Sequence, residues 1–144
     1  MGWKILVSAP YFQPVVDRFA QVFKENDIEL LVPKVTERMS ETELLEIIED
    51  IDGVISGDDH FSAEVLAKGK KLKVTSKWGT GIDSIDQEAA GRLGIAVRNT
   101  SNAFTMPVAD SALAYILCFA RQTPWMDRDI RNGTWQKRPG VSLQ

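Results

Sequence analysis

The 144-residue sequence is poor in the residues that build disulfide and metal sites. It contains one cysteine, Cys118, and one histidine, His60. A single cysteine excludes an internal disulfide framework, and one histidine beside it leaves too few ligands for a zinc site. We therefore predict a metal-free domain in which Cys118 is an inert, buried side chain within a helix.

Long apolar runs and an excess of basic charge are also missing. The longest hydrophobic stretch, residues 112–120, is far too short to span a bilayer. The amino terminus lacks the charged, apolar and small-residue zones of a signal peptide. The 17 basic and 20 acidic residues give a net charge of −3, which does not indicate a nucleic-acid partner. These absences predict a soluble, cytoplasmic domain with no membrane or nucleic-acid partner.

Short apolar runs alternate with amphipathic stretches over most of the chain. Five runs predict strands, at residues 4–9, 28–32, 53–57, 72–76 and 95–97. Four helices are predicted between them, at residues 14–25, from Ser40, from Ser62 and at residues 87–93. Ser40 and Glu43 form a capping-box pair, Asp86 caps the fourth helix, and Gly94 is placed as its left-handed stop. This rhythm predicts an α/β fold, a doubly wound five-stranded parallel sheet in flavodoxin-like order.

The pattern changes after residue 100. Thr105 is predicted to cap a long, largely apolar helix that runs to about Arg121 and is broken by Pro124. A more polar helix is predicted at residues 125–136. Residues 101–144 therefore form a segment outside the five-stranded unit.

The most informative segment for function is residues 76–86, which leave a strand, turn through Gly79 and Gly81, and enter a capped helix. In parallel sheets, ligands bind beyond the carboxyl ends of the strands, where this loop is placed. Glycines can present consecutive backbone N–H groups to an anion; the alternative is that they only permit a sharp turn. Ser84 occupies the third glycine position of the phosphate fingerprint G-x-G-x-x-G, which the sequence contains nowhere.

The loop after the third predicted strand carries Asp58, Asp59 and His60. The two aspartates either contact a polar substrate group or, in the case of Asp59, organise the turn, which is the preferred interpretation. His60 is expected at an exposed or helix-entry position rather than as an acid–base group. A phosphoacceptor receiver module shares this strand order, but it needs acidic residues where the first strand here ends in Ser8.

Several segments together carry a resemblance to a known family. They are residues 57–66, residues 72–90 with the motif W-G-T-G-I-D-S-I-D, and residues 93–100, 108–110 and 133–135. In content and in order along the chain, they resemble the D-isomer-specific 2-hydroxyacid dehydrogenases. The resemblance covers nearly the whole sequence.

The resemblance implies that residues 1–100 are a substrate-binding domain and that residues 101–144 are a hinge helix and the start of an NAD-binding domain. It implies that the glycine loop donates backbone N–H groups to the carboxylate of a small 2-hydroxy or 2-oxo acid. The substrate-side residues are Trp78, Gly79, Thr80, Gly81 and Asp58. The residues implied on the cofactor side are Phe104 and Val108. Trp78 either forms a wall of the cleft or packs beneath the sheet.

The implied activity is hydride transfer between NAD and the acid by a homodimeric oxidoreductase. The family's catalytic arginine, glutamate and histidine belong to a downstream segment, so we expect no catalytic residue here and no activity from this chain alone. The alternative is a non-catalytic dimerisation or regulatory fragment of the same family. Trp125 and Trp135 are interpreted as partner contacts, or as residues that the rest of the nucleotide domain covers.

Two positions depart from the family pattern. Phosphoglycerate dehydrogenases usually carry an arginine in the loop that here contains Asp58 and Asp59. Two carboxylates would repel a phosphorylated substrate, which argues against phosphoglycerate. Phe104 stands where an asparagine is common, so its ring is expected either to shape the pocket or to pack under the hinge helix.

Overall fold

The computed structural model describes residues 2–143. The chain divides into two compact units, Met1–Ser101 and Asn102–Gln144. The division falls beside the boundary expected at residue 100, while the roles assigned to the two parts remain predictions.

The first unit contains a five-stranded, all-parallel sheet with the order β2-β1-β3-β4-β5. The strands are β1 Trp3–Val7, β2 Ile28–Leu31, β3 Gly53–Ser56, β4 Val74–Lys77 and β5 Ala96–Arg98. Ser56 at the end of β3 lies opposite Lys77 at the end of β4, so both strands finish at the same edge. The predicted flavodoxin-like order is confirmed.

Helical segments connect the strands. They are a 3₁₀ segment Gln13–Phe19 continued by α1 Ala20–Glu25, α2 Glu41–Ile47 with a 3₁₀ turn Ile48–Asp50, α3 Ala63–Lys68, and α4 Gln87–Leu93. The continuous helix predicted at residues 14–25 is wrong in its first half. That half contains the β-branched Val15 and Val16, which lose side-chain freedom in an α-helix, whereas Pro14 lies in its first turn, where a missing N–H costs little.

The predicted helix caps are confirmed. Ser40 and Glu43 form both halves of a capping box, and the hydrogen bonds from the side chain and backbone of Ser40 hold the pKa of Glu43 below its usual value. The side chain of Ser62 accepts a hydrogen bond from the third residue of α3. Asp86 does the same for α4 at 2.8 Å, and Gly94 ends that helix with φ +70°.

The sheet is covered on both faces, which explains why its strands are apolar at consecutive positions. On one face, Leu6 and Val54 pack against α2, α3 and α4 in the larger core cluster. On the other face, Val7 packs with Phe12 and with partly buried residues that include Val15, Val16, Phe23 and Ile55. The helical side chains of this second, smaller cluster come from the segment at residues 12–25.

The second unit contains α5 Thr105–Arg121 and α6 Thr123–Arg131. The predicted cap at Thr105 is wrong, because Thr105 is already helical and the preceding turn closes on Asn102, whose φ is +62°. The helix ends at Gln122, also with a positive φ, and Pro124 lies in the first turn of α6, where its missing N–H costs little.

Most apolar side chains of α5 are exposed. They include Met106, Val108, Leu113, Tyr115, Ile116, Leu117 and Phe119. Cys118 is half-buried, so the expectation of a buried thiol is wrong: the second unit has too few elements to enclose this helix. None of the described helices is long and apolar enough to cross a membrane.

Two glycines of the α4 region provide a matched test of this description. Gly91 is helical and open, so Gly91→Ala should stabilise the protein by about 0.5–1 kcal/mol. Gly94→Ala forces a side chain into the left-handed region and should destabilise it by about 1–2 kcal/mol. Urea unfolding of both variants measures the two changes, and effects of equal sign would contradict the assignment of Gly94 as the helix stop.

Candidate functional site

The candidate site lies at the carboxyl edge of the sheet, where the loops after β1, β3, β4 and β5 come together. Because all strands are parallel, each one delivers its following loop to this edge. The loop after β4 begins where the backbone N–H of Trp78 donates to the carbonyl of Ser56 at 2.8 Å. The glycine loop thus starts from a fixed point on β3.

The carbonyl groups of the glycine loop are held by the segment after β5. The carbonyl of Gly79 accepts from the backbone N–H of Thr100 at 3.0 Å, and that of Thr80 accepts from the side-chain amide of Asn99 at 2.6 Å. The Thr80 hydroxyl donates to the carbonyl of Thr100 at 3.2 Å. These bonds orient the peptide planes of the glycine loop. They involve its carbonyl groups and the Thr80 hydroxyl, and none of them involves an N–H group of the loop.

The N–H groups of Gly79, Thr80 and Gly81 donate to no acceptor among residues 2–143. Neither glycine adopts a φ in the left-handed region, so the backbone angles themselves do not demand glycine here. A Cβ on Gly81 would meet only a carboxylate oxygen of Asp83, at 3.7 Å. The backbone angles therefore give no support to the sharp-turn interpretation, and the anion-binding interpretation stays a prediction.

Lys77 belongs to this site and was missed by the sequence analysis. Its side chain is only 6% exposed, and the ammonium donates to the carbonyl of Gly57 and to the carboxylate of Asp58. The sequence offers no local signal for this burial, because strand alternation places Lys77 in phase with the polar Lys73 and Thr75 rather than with Val74. Lys77, the last residue of β4, is therefore a buried cation at the edge of the candidate site.

The carboxylate of Asp58 is 79% exposed and pairs with Lys77. This pairing removes the premise of the argument against a phosphorylated substrate, which assumed two uncompensated carboxylates in this loop. Only Asp58 is paired with a cation, whereas the fully buried Asp59 is hydrogen-bonded to neutral donors, so the argument is weakened for one of the two carboxylates. The assignment of Asp58 as a substrate contact stays a prediction.

Asp59 organises the turn after β3, as the preferred interpretation held. Its carboxylate accepts hydrogen bonds from the Ser8 hydroxyl at 2.5 Å, the Met39 backbone N–H at 2.7 Å and the Gly57 backbone N–H at 3.1 Å. Three separate segments of the chain are therefore joined at one buried carboxylate. The neighbouring His60 is exposed, as expected.

Trp78 borders an apolar cleft of about 260 Å³ on the face of the sheet that carries α1. Its ring lies 4.7 Å from that of Phe12, centroid to centroid, and it remains 40% exposed. The other residues that line the cleft are Phe19, Val22, Phe23, Ile55, Ser76, Lys77 and Thr100. Trp78 thus packs against Phe12 and borders this cleft, while its predicted place beside the substrate stays a prediction.

The cofactor-side residues of the sequence analysis, Phe104 and Val108, lie in the second unit. Phe104 is 49% exposed at the start of α5 and Val108 is 63% exposed within it, so neither packs into a core. The described residues contain no cluster of three or more histidine, cysteine, aspartate or glutamate side chains placed to hold a metal ion.

Comparisons with known proteins relate the chain to a family of dehydrogenases. Residues 5–137 match the family model for the catalytic domain of D-isomer specific 2-hydroxyacid dehydrogenases. The chain is 30% identical over 142 residues to a D-3-phosphoglycerate dehydrogenase of Archaeoglobus fulgidus, covering 98% of this chain and 26% of the relative. It therefore spans about a quarter of the length of that relative.

Solved structures show the same fold. A protein from Thermus thermophilus superposes with a TM-score of 0.74 at 30% identity, covering 98% of this chain and 46% of that one. D-lactate dehydrogenase from Aquifex aeolicus superposes with a TM-score of 0.78 at 17% identity, covering 98% of this chain and 40% of that one. The α/β architecture of the first unit is thus shared with enzymes of this type.

Replacing Asp59 tests the scaffold of the site. Asp59→Asn places a donor among three donors inside the protein and should lower the free energy of unfolding by about 3 kcal/mol, measured by urea unfolding. Asp17→Asn, the same change at an exposed position, should stay within about 0.5 kcal/mol of the parent. Equal stabilities for the two variants would contradict the organising role of Asp59.

Proposed function

Because the chain belongs to the D-isomer-specific 2-hydroxyacid dehydrogenase family, we propose that it supplies the substrate-binding part of an NAD-dependent D-2-hydroxyacid dehydrogenase. The complete enzyme would transfer a hydride between the nicotinamide and a small 2-hydroxy or 2-oxo acid. The observation that supports this is the row of uncommitted backbone N–H groups at Gly79, Thr80 and Gly81.

A carboxylate fits this row of donors. Each N–H can donate to a carboxylate oxygen, and the charge makes such hydrogen bonds stronger than those between neutral groups. The loop is already oriented by its bonds to Asn99 and Thr100, so binding costs little ordering of the backbone. We propose that Trp78 and Asp58 border the bound acid.

Catalysis would need groups beyond this loop. Hydride transfer requires a bound nicotinamide, a cation for the carboxylate and an acid–base group for the hydroxyl. The exposed side chains of Phe104 and Val108 suit contact with an apolar ring edge, but the sequence offers no glycine-rich phosphate loop for the rest of a dinucleotide. The chain by itself therefore fits NAD only in part, and we propose that it is inactive alone.

A relative's ligands support the proposed cofactor and substrate class. The Aquifex aeolicus D-lactate dehydrogenase that shares this fold was solved in complex with NAD and lactic acid. We propose the same pairing, a nicotinamide dinucleotide and a 2-hydroxy acid, for the enzyme to which this chain contributes.

Titration with D-lactate tests the proposed function. In ¹⁵N-resolved NMR spectra, the amide resonances of residues 79–81 should move in a saturable manner, because their N–H groups acquire a charged acceptor. The uncharged amide, D-lactamide, should produce much smaller shifts at the same concentrations. The amide of Thr134, in the other unit and already bonded to the carbonyl of Asp129, serves as an internal control.

Two results, one from that titration and one from a separate activity assay, would count against the proposal. Absence of shifts at residues 79–81 would overturn carboxylate binding and favour the alternative of a non-catalytic dimerisation or regulatory fragment. Oxidation of NADH with a 2-oxo acid by the chain alone would instead contradict its proposed inactivity.

We also propose that the protein forms a homodimer through α5. The supporting observation is the exposure of large apolar side chains along this helix, from Met106 to Phe119. Large apolar side chains exposed in such number are typical of surfaces that another protein surface covers.

Sedimentation velocity tests the dimer. Ile116→Lys introduces a charge on the exposed face of α5 and should weaken self-association by at least about tenfold, because a lysine would be desolvated in the interface. Gln87→Lys adds the same charge at an exposed position of the first unit and should leave association unchanged. A parent protein that sediments as a monomer at about 100 μM, well above the usual range for stable dimers, would refute the proposal.

A further inference from the structure

We propose that Lys77 is a positioning residue that sets the carboxylate affinity of the glycine loop, and that Asp58 lowers this affinity as the counter-ion of Lys77. The inference rests on the proposed function, since it concerns how strongly residues 79–81 hold an acid. Neither side chain needs to touch the ligand for this role.

Lys77 is a cation removed from water with incomplete compensation. Its side chain is 6% exposed, whereas that of its carboxylate partner Asp58 is 79% exposed. Burying an ammonium group is unfavourable unless it is paired and hydrogen-bonded. Here one bond goes to the neutral carbonyl of Gly57 and the other to a carboxylate whose own charge is largely screened by solvent.

The ammonium lies close to the glycine loop. An ideal Cβ on Gly79 would be 3.2 Å from Cε of Lys77 and 3.7 Å from its Cγ, so the lysine stem lies directly against this residue. A C–N single bond is about 1.5 Å long, which places the ammonium within about 5 Å of that point. Its positive potential therefore adds to that of the N–H donors, while Asp83 beside Gly81 and the buried Asp59, which accepts from the N–H of Gly57, supply opposing charges.

Lys77 also fixes the position of the loop relative to β3. Its acceptor Gly57 cannot shift towards β1, because even a Cβ there would lie 2.9 Å from Cδ of Pro10 and 3.3 Å from Cα of Ala9. The lysine thus connects a tightly packed turn to the start of the glycine loop. Loss of its side chain would remove both a charge and a mechanical support.

Substitutions of the two residues should have opposite effects. Removing the charge of Lys77 should weaken binding of an acid, and removing the charge of Asp58 should strengthen it. A purely structural pair would behave differently, because either substitution would loosen the loop and weaken binding.

The experiment is a D-lactate titration of four variants, followed at the amides of residues 79–81. Relative to the parent, Lys77→Met should bind about fivefold more weakly, Lys77→Arg should recover most of the affinity, and Asp58→Asn should bind about twofold more tightly. Asp50→Asn is the matched control, because Asp50 also pairs with a lysine, Lys71, but lies outside the site. It should leave the affinity unchanged.

The outcomes separate this inference from the proposed function. A parent protein that shows no shift overturns both. A parent that binds D-lactate, combined with unchanged or weaker binding by Asp58→Asn, overturns the inference alone. If Lys77→Met does not fold, the titrations of Asp58→Asn and Lys77→Arg test the inference. If Asp58→Asn tightened the binding of uncharged D-lactamide as much as that of D-lactate, this would also contradict a charge effect.

Discussion

The buried carboxylate of Asp59 is the interaction on which the candidate site depends. It joins the end of β1 at Ser8, the loop before α2 at Met39 and the turn after β3 at Gly57. The carbonyl of Gly57 in turn receives the ammonium of Lys77, whose stem supports the glycine loop. A series of hydrogen bonds, followed by the packing of the Lys77 stem against Gly79, therefore connects the sheet interior with the glycine loop. This explains how a short loop without helical or strand structure can hold a defined shape.

The electrostatic effect of each charged residue at the sheet edge depends on its burial and its partners, and not on its sign alone. The loop after β3 carries two adjacent aspartates, and their sequence alone suggests a patch that repels anions. In the structure, the buried carboxylate of Asp59 accepts hydrogen bonds inside the protein, and Asp58 forms an ion pair with a buried lysine. Because solvent screens the exposed carboxylate better than the buried ammonium, the Lys77–Asp58 pair by itself favours an anion, whereas Asp59, which is hydrogen-bonded to neutral donors, opposes one.

Much of the fold could be predicted from the sequence, because strand periodicity and the caps at Ser40, Ser62 and Asp86 are local signals. The pairing of Lys77 with Asp58 could not, since it arises from the register of β3 against β4, which local patterns do not encode. The start of α5 differs from its prediction for a related reason: Asn102 turns the chain through a positive φ and the helix begins earlier than a Thr105 cap would allow. Where the start of a helix depends on the preceding turn, the type of residue at the cap position is not enough to predict where the helix begins.

Binding of the acid and its conversion are separable in this arrangement. The contacts described above for the glycine loop lie within the first unit, from the turn after β3 to Thr100. The carboxylate site can therefore be complete before any cofactor is present, and its preorganisation lowers the cost of binding. In the proposed site, three backbone donors would recognise a carboxylate but not the configuration at the neighbouring carbon, since they would make no contact with the hydroxyl. Discrimination between D and L acids must then come from the groups that supply the hydride and the proton, so specificity for the isomer and affinity for the acid would respond to different substitutions.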